Sequence, residues 1–406
     1  MEIWRRNLIV LWVGTVFGGM AFSIVSPFLP TLLEQVGATD NLEVWSGWAF
    51  AASFYTSALL APVWGTLADK YGRKPQMVRA GVGIGVTYML MAFANSPIQI
   101  VGLRLLLGIF NGFVPTAVAM VATNTPEEHL GGALGTIQTG SAFGTVVGPL
   151  VGGLLSHYLG IQTTLLIAGS SMFFATLVSV TGTTEVNKGD RSLEIKIVDN
   201  VVTVLRQPLL LQMYLLIMVY NLSFQVIQPI LPLFIEKLTG AGNVEVATGL
   251  IFSLAGMATV LAAPRWGRRG QKVGYTVVLR NGFLGAAILS FALVFSPNLY
   301  YLGGMRFAFG LFMAAVLPSA NALISRAVSP GFRSRALSVA HSFQQIGGAI
   351  GPVIGGYVGA LFGLPMVFAV TGVLLGGLTW WLQKKQWDHP SAQPGARASA
   401  GPSVSS

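Results

Sequence analysis

Only 9% of the 406 residues carry a formal charge, and the charged residues inside apolar runs are the ones placed to do chemistry. Arg104 stands in RLLLGIFNG, with Gly108 four residues on, and Arg306 stands in RFAFG, with Gly310 four residues on. Glu34 closes the apolar run SPFLPTLLE and Glu236 closes QPILPLFIE. Of the 4 histidines, only His341 falls within a long apolar stretch. Carboxylates and imidazoles in apolar surroundings bind and release protons at a pH set by burial and by neighbouring charges. Glu34, Glu236 and His341 are therefore candidates for proton coupling, and Arg104 stands out beside them because an arginine in a span is costly unless paired or facing a cavity. Glu34 and Glu236 read equally as interfacial end residues, Arg104 as a snorkelling side chain, and His341 as polar packing. No nucleophile–base constellation and no Gly-x4-Gly-Lys-(Ser/Thr) loop occurs, so bond-making chemistry and direct use of ATP are not expected. With 0 cysteines and 4 dispersed histidines, no disulfide, metal site or bound cofactor is expected either.

Three polar stripes recur at helical spacing. Arg104, Gly108, Asn111 and Pro115 share one face of a continuous helix, as do Asn221, Gln225 and Gln228 beside Tyr220, and His341, Gln345, Gly348 and Pro352. Gln138 occupies the place in the first half that His341 occupies in the second. Such stripes either glue helices together or line a cavity. In the second reading Asn111, Gln138, Tyr220, Asn221, Gln225, Gln228 and Gln345 form its wall. Phe22, Tyr55 and Phe224 then complete a pocket for an amphiphile.

The elements that must position these residues are membrane helices. The chain is 53% hydrophobic, with mean hydropathy +0.67, whereas a soluble domain is about 25% charged. An all-α integral membrane fold follows. A crossing helix needs about 20 apolar residues, and twelve spans are expected. They run Asn7–Leu33, Ser46–Ala68, Gln76–Ala94, Ile98–Ala122, Leu130–Ser156, Thr163–Thr181, Leu209–Ile235, Val246–Ala263, Tyr275–Phe295, Leu299–Ile324, Arg335–Leu361 and Leu364–Leu382. The first run is too long for a signal peptide. With both termini cytoplasmic, every Lys and Arg of the 24 falls on the cytoplasmic side except Lys237, Arg104 and Arg306. This asymmetry also accounts for the pI of about 10.0, so no nucleic-acid partner is expected. The divisions are a first six-helix half at 1–181, a cytoplasmic linker at 182–208, a second half at 209–383 and a disordered tail at 384–406.

The halves repeat at an offset of 202 or 203: SPFLPTLLE with QPILPLFIE, APVWG with APRWG, Arg104 with Arg306, and GPLVGG at 148–153 with GPVIGG at 351–356. Six spans per half make these parallel repeats, an arrangement found in secondary transporters that bind substrate between the halves.

The loop GTLADKYGRKP at 65–75 resembles the signature loop of the major facilitator superfamily, matched at Gly65, Asp69, Lys70, Gly72, Arg73 and Lys74 among others. Gly135, Gly144, Gly148, Pro149, Gly152 and Gly153 resemble that superfamily's antiporter motif, and Gly351 with Pro352 repeats its core. In the second half Ser338 replaces Gly135, and Gln271 replaces Asp69. The likeness is to the twelve-span drug:proton antiporters, more loosely to their MdtG-like and PmrA-like members. It implies a monomeric, proton-driven exporter of small amphiphiles in the cell membrane, with the proton gradient as energy source. It also implies that Arg104 is a proton-coupling residue, acting by setting the proton affinity of a nearby acid, and that Asp69 latches onto the start of the eleventh span in an outward-open state. Uptake of a small polar solute such as a sugar by the same fold is the alternative. The spans hold no mid-membrane carboxylate, so neutral, zwitterionic or anionic amphiphiles are expected in preference to cations.

Overall fold

The computed structural model describes residues 2–185, 207–240, 243–329 and 333–384, without the side chains of Ser334 and Arg335. Most of the expected linker, with Lys188, Arg191 and Lys196, and the expected tail beyond Lys384 lie outside the described residues. Nearly all of the described chain is helical. This is how a chain in hydrocarbon satisfies its own N–H and C=O groups. The first half comprises α1 (Ile3–Val25), α2 (Leu29–Gln35), α3 (Leu42–Tyr71), α4 (Arg73–Met91), α5 (Pro97–Phe110), α6 (Phe113–Asn124) and α7 (Glu127–Gly182). The second comprises α8 (Pro208–Ile227), α9 (Leu231–Thr239), α10 (Val244–Val273), α11 (Tyr275–Val294), α12 (Leu299–Met313), α13 (Val316–Ala327), α14 (Arg333–Phe362) and α15 (Met366–Gln383). Each half packs around its own core, one running from Leu11 to Ala175 and the other from Leu210 to Leu382.

Several expected spans are not straight rods. The first is interrupted at Ser26–Phe28 and the seventh between α8 and α9, where Pro27 and Pro229 withhold a backbone donor. The fourth breaks at Asn111–Gly112, with Gly112 at φ 134°, and the tenth breaks at Ala314–Ala315. The face proposed for Arg104, Gly108, Asn111 and Pro115 assumed an unbroken helix; the turn at Asn111 interrupts that helix, yet Gly108, Asn111 and Pro115 still line one cavity. Conversely, α7 joins the fifth and sixth spans across a bend at Gly160. Among the described residues nine helical stretches are long and apolar enough to cross a membrane. Helices α3 and α4 fall outside that set: α3 carries Ser46, Ser53, Thr56 and Ser57, and α4 begins with Arg73 and Lys74. Side chains such as Leu59, Leu177, Ile288 and Val373, each 60% exposed or more, turn outward. Water would not tolerate that surface, and lipid does. The protein is a multi-pass membrane protein.

The repeat extends to backbone conformation. Asn41 and Asn243 both adopt the left-handed region before α3 and α10, and Gly72 and Gly274 have positive φ after them. Pro62 and Pro264 lie within the same two helices. The Trp64 indole donates to Ile109 O at 2.8 Å, and the Trp266 indole donates to Leu311 O at 2.7 Å.

The halves meet where α3 packs on α14 and where α7 packs on α10. A side-chain carbon at Gly249 would stand 2.3 Å from Pro149 O, and one at Gly153 would stand 2.6 Å from Glu245 O. The other seam mirrors this, with Gly47 2.5 Å from Pro352 O and Gly356 2.5 Å from Glu43 O. All four contacts lie at the end opposite the chain termini. At the end carrying Asp69, by contrast, Gly65, Gly135 and Gly267 have no atom within 4 Å of where a side chain would begin. The first of these is called the sealed end, where the four contacts join the halves, and the second the parted end, where those three glycines meet no neighbour.

If backbone-to-backbone packing at Gly249 makes the seal, Gly249→Val should open it, since overpacking costs about 1–3 kcal/mol. The natural chain has 0 cysteines, so a cysteine in place of Phe54, in the space between the halves, is a clean reporter. An impermeant maleimide added opposite the termini should label it about tenfold faster, or more, in the Gly249→Val background. Unchanged labelling would show that this contact does not hold the end shut.

Candidate functional site

A cavity of about 260 Å³ lies where the halves part. Its wall is built mainly by the first half: Phe22 from α1, Ser53 and Phe54 from α3, Tyr88 from α4, and the α5–α6 break around Asn111. The second half adds His341 and Gln345 from α14. The polar wall is made of hydroxyl, amide, phenol and imidazole groups, with no carboxylate among the lining side chains.

Six residues singled out in the sequence therefore meet at this cavity: Phe22, Gly108, Asn111, Pro115, His341 and Gln345. Ser57 joins two of them. Its Oγ accepts from Asn111 Nδ2 at 2.9 Å and from Gln345 Nε2 at 2.9 Å, tying the first half to the second through one buried oxygen. The α5–α6 break presents Asn111 to that oxygen, and two side chains support the break. The Arg79 guanidinium donates to Ile109 O at 3.0 Å and to Asn111 O at 3.3 Å, and it stacks 3.6 Å from the Trp64 ring. The charge pattern of the sequence places Arg79 among the cytoplasmic cations. In the structure it lies two turns inside α4, satisfying carbonyls that the break sets free. Its position inside an apolar span was the available signal, by the reasoning applied to Arg104.

Other expected wall residues lie elsewhere. Tyr55 is 58% exposed and Gln138 is also exposed, and neither is among the residues lining the cavity. Tyr220 packs 6.4 Å from Phe283 in the second core, and Phe224 packs against the same core. Asn221 Nδ2 donates to Gln344 O, a helix-to-helix bond between α8 and α14. Gln225 and Gln228 are buried where α8 ends. The second polar stripe thus works within its own half, because the second half closes around its core and leaves the cavity to the first.

Arg104 is fully buried behind the cavity. Its Nε donates to Ala49 O and its Nη2 to Ser53 Oγ, both at 3.1 Å, while Phe50 lies beneath it at 5.8 Å. It does not snorkel, because α3 supplies acceptors at its own depth. Arg306 is equally buried, 5.4 Å from the Phe309 ring. Glu34 and Glu236 are exposed at the sealed end and stand near each other: Glu34 and Glu245 both act on the charge of Glu236. Across the same seam His157 Nδ1 lies 3.6 Å from a Glu245 oxygen.

At the parted end Asp69 is half-exposed and pairs with Arg73 one turn on. The carboxylate seated on a helix start is Glu185, which accepts from the Arg73 and Lys74 backbone N–H groups at the beginning of α4. Gly72, at φ 100°, brings the chain within reach of it. Lys74 Nζ donates to Val180 O at 2.9 Å and to Thr183 O, cationic help for the carbonyls that end α7. The loop is thereby fastened to the end of its own half. Lys70 lies in the last turn of α3 beside these ties, and Gly65, a turn earlier, borders open space. The antiporter-motif glycines face α1. Side-chain carbons at Gly144, Gly148 and Gly152 would meet Val16 O, Ser23 Oγ and Ile24 O at 2.0–2.3 Å. Pro149 and Pro352 offer their carbonyls to the opposite half, and Gly351 packs on Leu222 O. Gly135 touches nothing, so the loss of its counterpart at Ser338 costs no contact of this kind.

A family model described as Major Facilitator Superfamily matches residues 11–247 and 213–404. A protein of Escherichia fergusonii named "Multidrug resistance protein MdtG" is 36% identical over 376 residues, 92% of each chain. Among solved structures, the nucleoside transporter NupG superposes with TM-score 0.77 at 15% identity, over 95% of this chain and 100% of that one. A bacterial homologue of the human lysosomal transporter Spinster, inward-facing and occupied, gives TM-score 0.79 at 15% identity, over 97% and 99%.

Removing the shared oxygen should expose how far the two halves depend on it. Ser57→Ala leaves two buried amides without their acceptor, a loss of about 1–3 kcal/mol. Thermal unfolding in detergent should show a lowered midpoint. The effects of Ser57→Ala and Gln345→Met should not add, since each removes the same bond. Fully additive shifts would show that the bond does not couple the halves.

Proposed function

The chain belongs to the major facilitator superfamily, and we propose that it is a proton-driven antiporter that exports small amphiphilic compounds from the cell. The observation that carries this reading is its likeness, along nearly the full length of both chains, to multidrug resistance proteins. In this reading the chain crosses the cell membrane twelve times as a monomer, with both termini in the cytoplasm and α3, α4 and both arms of α7 among the spans. The parted end then faces the cytoplasm, and the arrangement corresponds to an inward-facing state, ready to load.

A compound enters between the halves from the cytoplasm or the inner leaflet and settles against Phe22 and Phe54. Closure at the Asp69 end and separation of the four glycine contacts turn the cavity outward. Because Ser57 bridges Asn111 and Gln345, the halves carry a bond at the depth of the cavity that must break or rearrange as they rock. Protons return through Glu34, Glu236 and His341, the first two at the outer mouth and the third on the cavity wall, with Arg104 acting from behind Ser53. The latch between Asp69 and the start of α14 belongs to the outward-facing state; here Asp69 is held by Arg73 instead.

Inverted vesicles test the reading. Amphiphilic drugs should accumulate only while a proton gradient is imposed, and sugars should not be carried. Downhill sugar flux independent of the gradient would support uptake and sink the export reading. Single replacement of Glu34, Asp69, Arg104, Glu236 and His341 should abolish gradient-driven accumulation in at least one variant. Intact coupling in all five would remove these residues from the mechanism.

A further inference from the structure

The inner wall of the cavity holds a polar group that the export cycle does not use. Tyr88 lines the cavity and is fully buried, yet its hydroxyl has no hydrogen-bond partner among the described residues. A buried hydroxyl left unpaired costs about 1–3 kcal/mol, so a fold keeps one where something else pairs with it. Behind the same wall Arg104 is also fully buried and has one nitrogen, Nη1, without a partner among those residues. Its Nη2 is bonded to Ser53, a cavity residue, and the guanidinium and the phenol lie close enough to act on each other electrostatically. The acceptors that Arg104 has found are a backbone carbonyl and a hydroxyl, both neutral. The positive charge is thus buried on neutral acceptors beside a phenol free to donate.

This arrangement favours one kind of ligand group. An anionic oxygen at the Tyr88 hydroxyl would accept its hydrogen and sit in the field of the guanidinium. A cation placed there would meet like charge in a poorly screened site. The rest of the wall fits an apolar body: Phe22, Phe54, Leu107 and Phe113. Resting on the export reading above, we propose that Tyr88, backed by Arg104, is the specificity-determining site for a carboxylate or other anionic oxygen on an otherwise apolar substrate. The phenol makes the contact, the arginine supplies the field, and the aromatic wall holds the remainder.

Dansylglycine and dansylglycinamide share one skeleton and differ in that the first carries a carboxylate and the second a neutral amide. Their binding to the purified full chain in detergent can be followed by dansyl fluorescence. The wild-type protein should prefer dansylglycine. Tyr88→Phe, which keeps the ring and its packing, should weaken dansylglycine about tenfold and the amide by a smaller factor, because a hydrogen bond to a charged acceptor is the stronger. Equal weakening of the two probes, no weakening, or no preference in the wild type would overturn the proposal. Gradient-driven export of neutral amphiphiles in the vesicle assay decides the export reading separately. Export by wild type and Tyr88→Phe alike, with no carboxylate preference, removes the site and leaves the exporter.

Discussion

The architecture depends on backbone meeting backbone at four glycines. Gly47, Gly153, Gly249 and Gly356 each leave a carbonyl of the opposite half within 2.3–2.6 Å of where a side chain would start. Without water to drive helices together, close approach of this kind is the main source of attraction between spans. The contact is also brittle, since a single methyl group is enough to forbid it. Concentrating it at one end leaves the other end free to part, and the cavity is the space that results. The proline of each Gly-Pro pair has a place in this. Its own carbonyl lies in the seam, and its missing N–H loosens the helix locally.

Broken helices are the second theme, and in the fourth and tenth spans named side chains meet carbonyls at the break. Where the fourth span turns at Asn111, the freed carbonyls are met by Trp64 and Arg79. The tenth span repeats the device with Trp266 on Leu311. The turn sets the direction of the Asn111 amide, which reaches Ser57 only because the helix does not continue. A polar group in hydrocarbon has few alternatives to its partner. Such breaks are therefore well-defined joints and not loose ones.

The two halves share a backbone and diverge in chemistry. Arg104 finds Ser53 on α3, and the matching position on α10 is Ala255. The polar stripe on α14 reaches the cavity through His341 and Gln345, whereas its counterpart Gln138 is exposed and not among the lining residues. Duplication supplied the symmetric frame, and substitution then made one half the main wall of the site. The second half contributes His341 and Gln345 to that wall.

The membrane class, the two repeats and the motif loops were legible in the sequence, because they rest on quantities that are local in the chain. Apolar run length, the placement of Lys and Arg, and recurring Gly-Pro pairs need no knowledge of which helix touches which. The antiporter-motif glycines from Gly144 to Gly153 marked real close contacts, whereas the spans read as continuous through Pro27 and Pro229 are interrupted there. Which polar residues share a cavity was legible in part: Gly108, Asn111 and Pro115 keep one face to it across the break, and His341 and Gln345 join them. The Ser57 bridge was not, since Asn111, Gln345 and Ser57 come together over separations of 54 and 288 residues. Tyr88 gave no signal, as one tyrosine in an apolar span looks like any packing aromatic. Glu185 looked like linker charge and proves to hold the start of α4. The sequence by itself determined that this chain is a duplicated helical membrane protein, since hydrocarbon admits few other solutions. Only the tertiary structure decided which end is sealed and which side chains face the gap, since those follow from contacts between spans distant in the chain.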